Sequence, residues 1–185
     1  MKTRNTFLLQ LALPLLLILF TSCKKDDDDN PSEPDTLPDA EFSATVTGTT
    51  SENYSFTLPQ GTAGNYSING SHVSTVELLQ VIVMELPVGW SMTLVVSTET
   101  FGTGTYQMNQ GQTDLSTYFN DETGTTYVST SGTLNITKAD QYLEAGSQDG
   151  YYIEGNFTME GIDNSTPPKQ VSISGSFSGI YIATM

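Results

Sequence analysis

The sequence reads YIEGNFTMEG from Tyr152 to Gly161 and VSISGSFSGI from Val171 to Ile180, and these two stretches decide the fold. Both contain the pattern Ile-x-Gly-x-Phe, in which apolar residues alternate with polar ones as in a strand with one buried face. The connecting residues 162–169 include two prolines and cannot be strand throughout. The two stretches therefore predict an antiparallel pair of strands with a long connection.

A glycine occupies the same inward position in both stretches. It leaves room for a large side chain, which we expect to come from the opposing layer of the core. Nothing else in the chain recurs at this spacing, so we predict one hairpin and not a repeat architecture. The inward residues are Ile153, Gly155, Phe157 and Met159 on the first strand and Ile173, Gly175 and Phe177 on the second.

The same alternation extends through the chain from Glu41 onward. The turn Asp121–Gly124 separates two further strands, and no segment combines helical periodicity with caps at both ends. We predict an all-β fold, a single antiparallel β-sandwich domain over residues 40–185, with a small up-and-down β-barrel of the calycin type as the alternative. The inward residues expected on the other strands are Phe42, Ala44 and Val46; Tyr54, Phe56 and Leu58; Tyr66 and Ile68; and Leu134 and Ile136.

The most apolar segment of this domain is the run Leu78–Leu86. Its β-branched residues at positions 81–83 favour a strand over a helix. Residues 87–89 read Pro-Val-Gly and predict a turn into a second strand, Trp90–Val96. We expect a central hairpin that is covered on both faces, with the sole tryptophan, Trp90, in the core.

Charge excludes some classes of partner. The chain has 185 residues and a formal net charge of −15. Beyond Asp39, two lysines stand against fourteen acids, and such a surface repels nucleic acid because phosphate contacts need Lys or Arg. One cysteine excludes an intramolecular disulfide and a cysteine-rich zinc site, so the domain must be stabilised by its core.

The first residues have the composition of a signal peptide. Two basic residues precede the apolar run Phe7–Phe20, which is shorter than the roughly 20 residues that a membrane span requires. Phe20-Thr21-Ser22-Cys23 resembles the lipobox of bacterial lipoproteins, although leucine is commoner than phenylalanine at its first position. The resemblance implies that residues 1–22 are removed and that Cys23 carries acyl chains, such as palmitate, that anchor the protein in a membrane.

Residues 24–39 contain three prolines, many charges and no aromatic residue, which predicts a disordered acidic tether. Its opening charges resemble the surface-export signal of Bacteroidota lipoproteins, which implies the outer leaflet of the outer membrane, facing the cell exterior. Asp35-Thr36-Leu37 resembles the O-glycosylation motif of that phylum, with Thr36 as the acceptor. The residues that match the export signal are Lys24, Lys25, Asp26, Asp27, Asp28 and Asp29.

The C-terminal third also carries a resemblance. It contains SGTLNIT at residues 131–137, followed by the two Ile-x-Gly-x-Phe strands. With the signal and the tether, this arrangement resembles a group of uncharacterised Bacteroidota surface lipoproteins that have a β-sandwich domain. The group has no established catalytic residues to carry over.

Few residues suit catalysis. Ser–His chemistry needs a base, and the only histidine is His72, in the stretch NGSHVST that predicts a surface loop. A zinc hydrolase usually needs more histidines than this. Paired carboxylates could hydrolyse a glycoside. No spacing singles out a pair among the candidates Glu77, Glu85, Asp114, Glu154 and Glu160.

Two loops offer oxygen ligands that calcium prefers, but neither has the spacing of an EF-hand loop. Turns rich in Asn and Asp explain both loops without a metal, so we predict no metal and no cofactor. The residues concerned are Asn120, Asp121 and Glu122 in one loop and Asp163 and Asn164 in the other.

These observations predict a lipid-anchored, non-enzymatic binding or structural protein that contacts the membrane through Cys23 and does not bind nucleic acid. Its ligand, a glycan or a protein, is not identified by the sequence. Two alternatives stay open. One is a carbohydrate-active enzyme or glycan-binding accessory protein that uses acidic residues. The other is a lipocalin-like carrier of a small apolar ligand.

Overall fold

The computed structural model describes residues 38–59, 65–86, 89–108, 116–142 and 150–185, all within the compact unit Glu33–Met185. The predicted signal peptide, Cys23, the export residues and Thr36 lie outside these ranges. The described residues form a short 3-10 helix, Ser74–Val76, and ten strands: β1 Ala40–Gly48, β2 Glu52–Leu58, β3 Tyr66–Val73, β4 Leu78–Glu85, β5 Ser91–Ser97, β6 Gly104–Gln107, β7 Tyr118–Asn120, β8 Thr126–Tyr142, β9 Gly150–Ile162 and β10 Gln170–Thr184. The all-β prediction is confirmed.

Hydrogen bonds join seven strands into a closed ring in the order β10, β3, β4, β5, β7, β8 and β9. Strands β1 and β2 extend from β10 outside the ring, and β6 pairs with β8. The long strands allow this because they change neighbours along their length. For example, β10 pairs with β1 over Val171–Ser178 and, in parallel, with β3 over Ile182–Thr184. Strands β2, β1, β10, β9, β8 and β6 thus form one continuous sheet, which we call the six-strand sheet.

The predicted antiparallel pair with a long connection is confirmed as β9 and β10. The two inward glycines each lie beside a phenylalanine: Gly155 is the direct partner of Phe177, and Gly175 that of Phe157. A Cβ atom on Gly155 would lie 2.7 Å from the Phe177 ring, and one on Gly175 would lie 2.5 Å from the Phe157 ring. The expectation that an opposing layer fills these spaces is wrong, since the neighbouring strand of the same sheet fills them.

Aromatic rings occupy the core between the six-strand sheet and the remaining strands. Phe42 on β1 stacks with Phe56 of β2, with Phe157 of β9 and with Trp90, at centroid distances of 5.8, 5.8 and 5.6 Å. Trp90 is 3% exposed, which confirms its predicted place in the core. Tyr54 also contacts Trp90 at 4.5 Å, so the inner faces of β1 and β2 pack against the hairpin of β4 and β5.

That hairpin confirms the strand interpretation of the apolar segment. Residues 92–96 of β5 are buried on both faces, whereas β4 alternates buried and partly exposed residues. The prediction of full coverage therefore holds for β5 and fails for β4. Pro87 and Val88, in the predicted turn, lie outside the described residues.

His72 does not lie in a surface loop. It is part of β3, opposite Leu79 of β4, and is 4% exposed. The Gly-Ser pair before it suggested a loop, but Gly70 lies within the strand, where the end of the Ile182 side chain occupies the space that a Cβ atom would take. The end of the chain holds this strand in place, since the Met185 amide donates to the His72 carbonyl at 2.9 Å.

We expect Gly175→Ala to destabilise the fold, because the added methyl would meet the Phe157 ring and the backbone carbonyl of Ser43. Overpacking of this kind costs roughly 1–3 kcal/mol. Urea denaturation would measure the change in the free energy of unfolding. Gly102→Ala is the control, because a Cβ atom on Gly102 has no neighbour within 4 Å. Equal stability of the two variants would contradict the proposed fit.

Candidate functional site

The solvent face of the six-strand sheet carries rows of hydroxyl and amide side chains, and we call it the polar face. Because side chains alternate along a strand, the apolar residues of these strands point inward and the Ser, Thr and Asn residues point outward. The pairing register aligns them into two rows that cross all six strands: Asn53, Thr45, Ser174, Thr158, Thr133 and Gln107; and Ser55, Ser43, Ser176, Asn156, Asn135 and Thr105.

Neighbours within these rows form hydrogen bonds with one another. Ser43 and Ser176 share a hydrogen bond of 2.9 Å, and Thr133 and Thr158 share one of 3.0 Å. The Thr105 hydroxyl donates to the Asn135 side-chain carbonyl at 3.1 Å. These contacts orient the side chains, and each hydroxyl or amide retains further donor or acceptor capacity toward solvent.

An open depression of about 580 Å³ lies on the polar face over β2, β1, β10 and β9, and we call it the groove. Eight outward hydroxyl and amide side chains line it, and none of the described lining residues is charged. A second depression of about 390 Å³ adjoins it and shares Ser43, Ser55 and Ser176. The lining of this second depression includes one acid, Glu41.

An acidic pocket of about 290 Å³ adjoins the groove at Asn53, Tyr54 and Ser55 and lies between β2, the β4–β5 hairpin and the turn after β7. Its lining includes the carboxylates of Glu52, Glu85 and Glu122 and the aromatic side chains of Tyr66 and Trp90. Burial, together with the nearby charges of Glu122 and Asp121, raises the pKa of Glu52. The Tyr54 hydroxyl donates a hydrogen bond to this carboxylate.

The carboxylates considered for glycoside hydrolysis are dispersed. Glu154 and Glu160 point outward from the same strand, six positions apart, which places them about 20 Å from each other at the rise of a strand. Glycosidase pairs stand roughly 5–9.5 Å apart, so these two do not form such a pair. Glu77 follows the 3-10 helix, and Glu85 lines the acidic pocket. Asp114 lies outside the described residues.

The loop residues considered for calcium have other partners. The buried Asp121 carboxylate accepts hydrogen bonds from the amides of Thr123 and Thr125, both at 2.9 Å, which closes the turn before β8. Asn120 bonds to Ser91 and Thr126, and Glu122 is exposed. Among the described residues, no three or more His, Cys, Asp or Glu side chains are grouped so that they could hold a metal.

Asp163 has the same structural role in the connection between β9 and β10. Its carboxylate accepts hydrogen bonds from the Ser165 hydroxyl at 2.7 Å and from the Lys169 amide at 2.8 Å. The hydrogen bond from Ser165, with those from the backbone, holds the pKa of Asp163 below its ordinary value. The interpretation as an Asp-rich turn therefore accounts for this carboxylate.

No family model, curated protein or solved structure matches this chain. Within the described ranges, none of the helical structure is long and apolar enough to span a membrane.

Two features of these sites were missed by sequence reasoning. The sequence shows the alternation of Ser, Thr and Asn on β1, β9 and β10. It does not show which strands are neighbours, so it could not predict the polar rows that cross the sheet. Glu52 lies far in sequence from Glu122, and no local pattern connects them.

We expect Glu52→Gln to stabilise the protein at pH 7. Because the folded state raises the pKa of this carboxyl, its ionisation opposes folding as the pH rises through its ordinary pKa of 4.5. The gain should be on the order of 0.5 kcal/mol at neutral pH and should vanish in acid, where Glu52 is protonated. Urea denaturation at both pH values would measure it.

Glu99→Gln, at an exposed position, is the control for a general loss of negative charge. Two results would contradict charge repulsion at Glu52. One is a gain in stability that persists unchanged in acid, and the other is an equal gain in the Glu99→Gln variant.

Proposed function

We propose that this protein is a lipid-anchored lipoprotein of the outer membrane, facing the cell exterior, whose β domain binds an uncharged polymer and catalyses no reaction. The observation that carries the binding part is the groove, an uncharged hydrogen-bonding surface on a strongly acidic domain.

The anchor rests on the sequence. Cys23 ends a motif that resembles a lipobox, and two or more acyl chains hold a protein stably in a bilayer. The sixteen residues from Lys24 to Asp39 span at most about 55 Å when extended, and this tether would keep the domain clear of the lipid surface. The opening Lys and Asp residues support export to the cell surface by their resemblance to a sorting signal.

The chemistry of the groove limits the classes of ligand that it can bind. The fourteen acids beyond Asp39 repel an anionic polymer. A cationic ligand would need carboxylates, and the described lining of the groove contains none. Hydroxyl and amide groups that can both donate and accept suit a ligand with many uncharged polar groups.

A binding role is favoured over the enzyme alternative. The groove lacks carboxylates among its described lining residues, and Glu154 and Glu160 are too far apart to act as a pair. His72 is packed in the core, with its ring 5.7 Å from that of Phe101. These observations support binding over hydrolysis at the groove itself; the carboxylates of Glu52, Glu85 and Glu122 lie in the acidic pocket beside it.

We propose that the fold is a flattened, sandwich-like barrel, in which the six-strand sheet packs on β3, β4, β5 and β7. The stack of Phe42, Phe56, Trp90 and Phe157 spans the two layers. An interior filled by these rings is poorly suited to a carrier of a small apolar ligand, so we do not favour the lipocalin-like alternative.

We expect Cys23→Ala to release the protein from the membrane, because the acyl chains attach at this sulfur. Cells grown with a palmitate analogue should label the wild-type chain and not the variant, and fractionation should move the variant to the soluble fraction. Cys23→Ala that stays fully in the membrane fraction would overturn the anchor. For export, a protease added to intact cells should degrade the wild-type domain, whereas full protection would place it in the periplasm.

We expect Ser174→Glu to abolish binding by the groove, because it places a larger, charged side chain in the middle of the lining. Purified full-length chain would be tested for retention on immobilised dextran, amylose, mannan and uncharged polypeptide. Wild type should be retained on at least one of these polymers. Ser97→Glu, at an exposed position at the end of β5, is the control. Equal retention of wild type and Ser174→Glu would contradict binding at the groove.

A further inference from the structure

Three tyrosines cluster on the polar face at one end of the six-strand sheet. Tyr152 of β9 lies 5.4 Å from both Tyr142 of β8 and Tyr181 of β10, measured between ring centroids, and the last two rings are 6.2 Å apart. All three side chains are partly exposed. The rings meet edge to face or tilted, so they form a cluster and not a single flat stack. We call these residues the tyrosine cluster.

The fold makes room for this cluster. The Tyr181 ring lies across the neighbouring strand, where a Cβ atom on Gly150 would overlap it. Tyr181 is also the direct partner of Tyr152 in the pairing of β10 with β9. A glycine at the start of β9 thus allows Tyr181 to lie against the sheet and beside Tyr152.

The cluster and the groove belong to the same surface. Tyr152, Glu154 and Asn156 are alternate residues of β9 and point outward, and Asn156 lines the groove. At the rise of a strand, Tyr152 and Asn156 are about 13 Å apart along the sheet. Between them, Lys138 pairs with Asp140 at 2.9 Å and with Glu154 at 3.1 Å, so these charges partly compensate one another.

The two parts of this surface have complementary chemistry. Tyrosine presents an apolar ring with a polar tip, and the groove presents hydroxyl and amide groups. A sugar ring likewise has an apolar C–H face and an edge of hydroxyl groups. An extended peptide instead binds by adding a strand to an open sheet edge, whereas the polar face exposes side chains in the middle of a sheet.

We propose that the polar face binds an uncharged polysaccharide, whose sugar rings pack on the tyrosine cluster while neighbouring sugars of the same chain form hydrogen bonds in the groove. This inference rests on the proposed binding function and names its ligand class. The chain would follow β9, from Tyr152 past the ion pairs of Lys138 to Asn156.

Affinity electrophoresis of the purified full-length chain in gels that contain dextran, amylose or mannan tests this proposal. Wild type should be retarded by at least one of the three polysaccharides. Tyr152→Ala should weaken that affinity at least tenfold, and Tyr152→Phe should retain most of it because the ring face is kept. Tyr118→Ala is the matched control, since Tyr118 is a partly exposed tyrosine of β7, outside the polar face.

The outcomes separate this inference from the proposed function. Ser174→Glu could abolish retardation while Tyr152→Ala and Tyr181→Ala leave it unchanged. In that case the tyrosine cluster has no role, and the proposal that the groove binds a polymer is retained. If uncharged polypeptide alone retains the protein, the proposal of a polysaccharide ligand is wrong and the proposal of an uncharged polymer is retained. Retention on neither class would overturn both proposals. Urea denaturation of each variant would show that its loss of binding is not a loss of folding.

Discussion

The fit of Phe157 beside Gly175 and of Phe177 beside Gly155 is the contact on which the rest of the structure depends. A slip of one residue would turn every side chain of β10 to the opposite face, because side chains alternate with a period of two. A slip of two residues in one direction would place Phe177 against Phe157, and a slip of two in the other direction would leave the two glycines facing each other. The two glycines therefore determine the register of the central pair of strands.

That register determines both faces of the six-strand sheet. On the inner face it places Phe157 within stacking distance of Phe42, which also stacks with Trp90. On the outer face it makes Ser174 the partner of Thr158 and Ser176 the partner of Asn156. The packing of the core and the alignment of the polar rows are thus two results of one pairing.

Charge is distributed unevenly over this domain, and the distribution has a functional meaning. Burial and the nearby charges of Glu122 and Asp121 raise the pKa of Glu52, while the described lining of the groove contains no charge. The groove thus presents uncharged hydroxyl and amide groups on a domain whose acids repel anionic polymers. Together with the tyrosine cluster, this is the surface that we propose binds an uncharged polysaccharide.

The sequence by itself determined the all-β class, the hairpin of β9 and β10 and the inward faces of β1 and β2, because these depend on local alternation and turn residues. It also contained the lipobox-like motif at Cys23, which is read without a fold. Only the tertiary structure decided that His72 is buried, that Glu52 meets Glu122, and that three tyrosines from β8, β9 and β10 gather on one face. Alternation shows which face of a strand a residue occupies, but not which strand lies beside it, and both the groove and the tyrosine cluster are built from neighbours across strands.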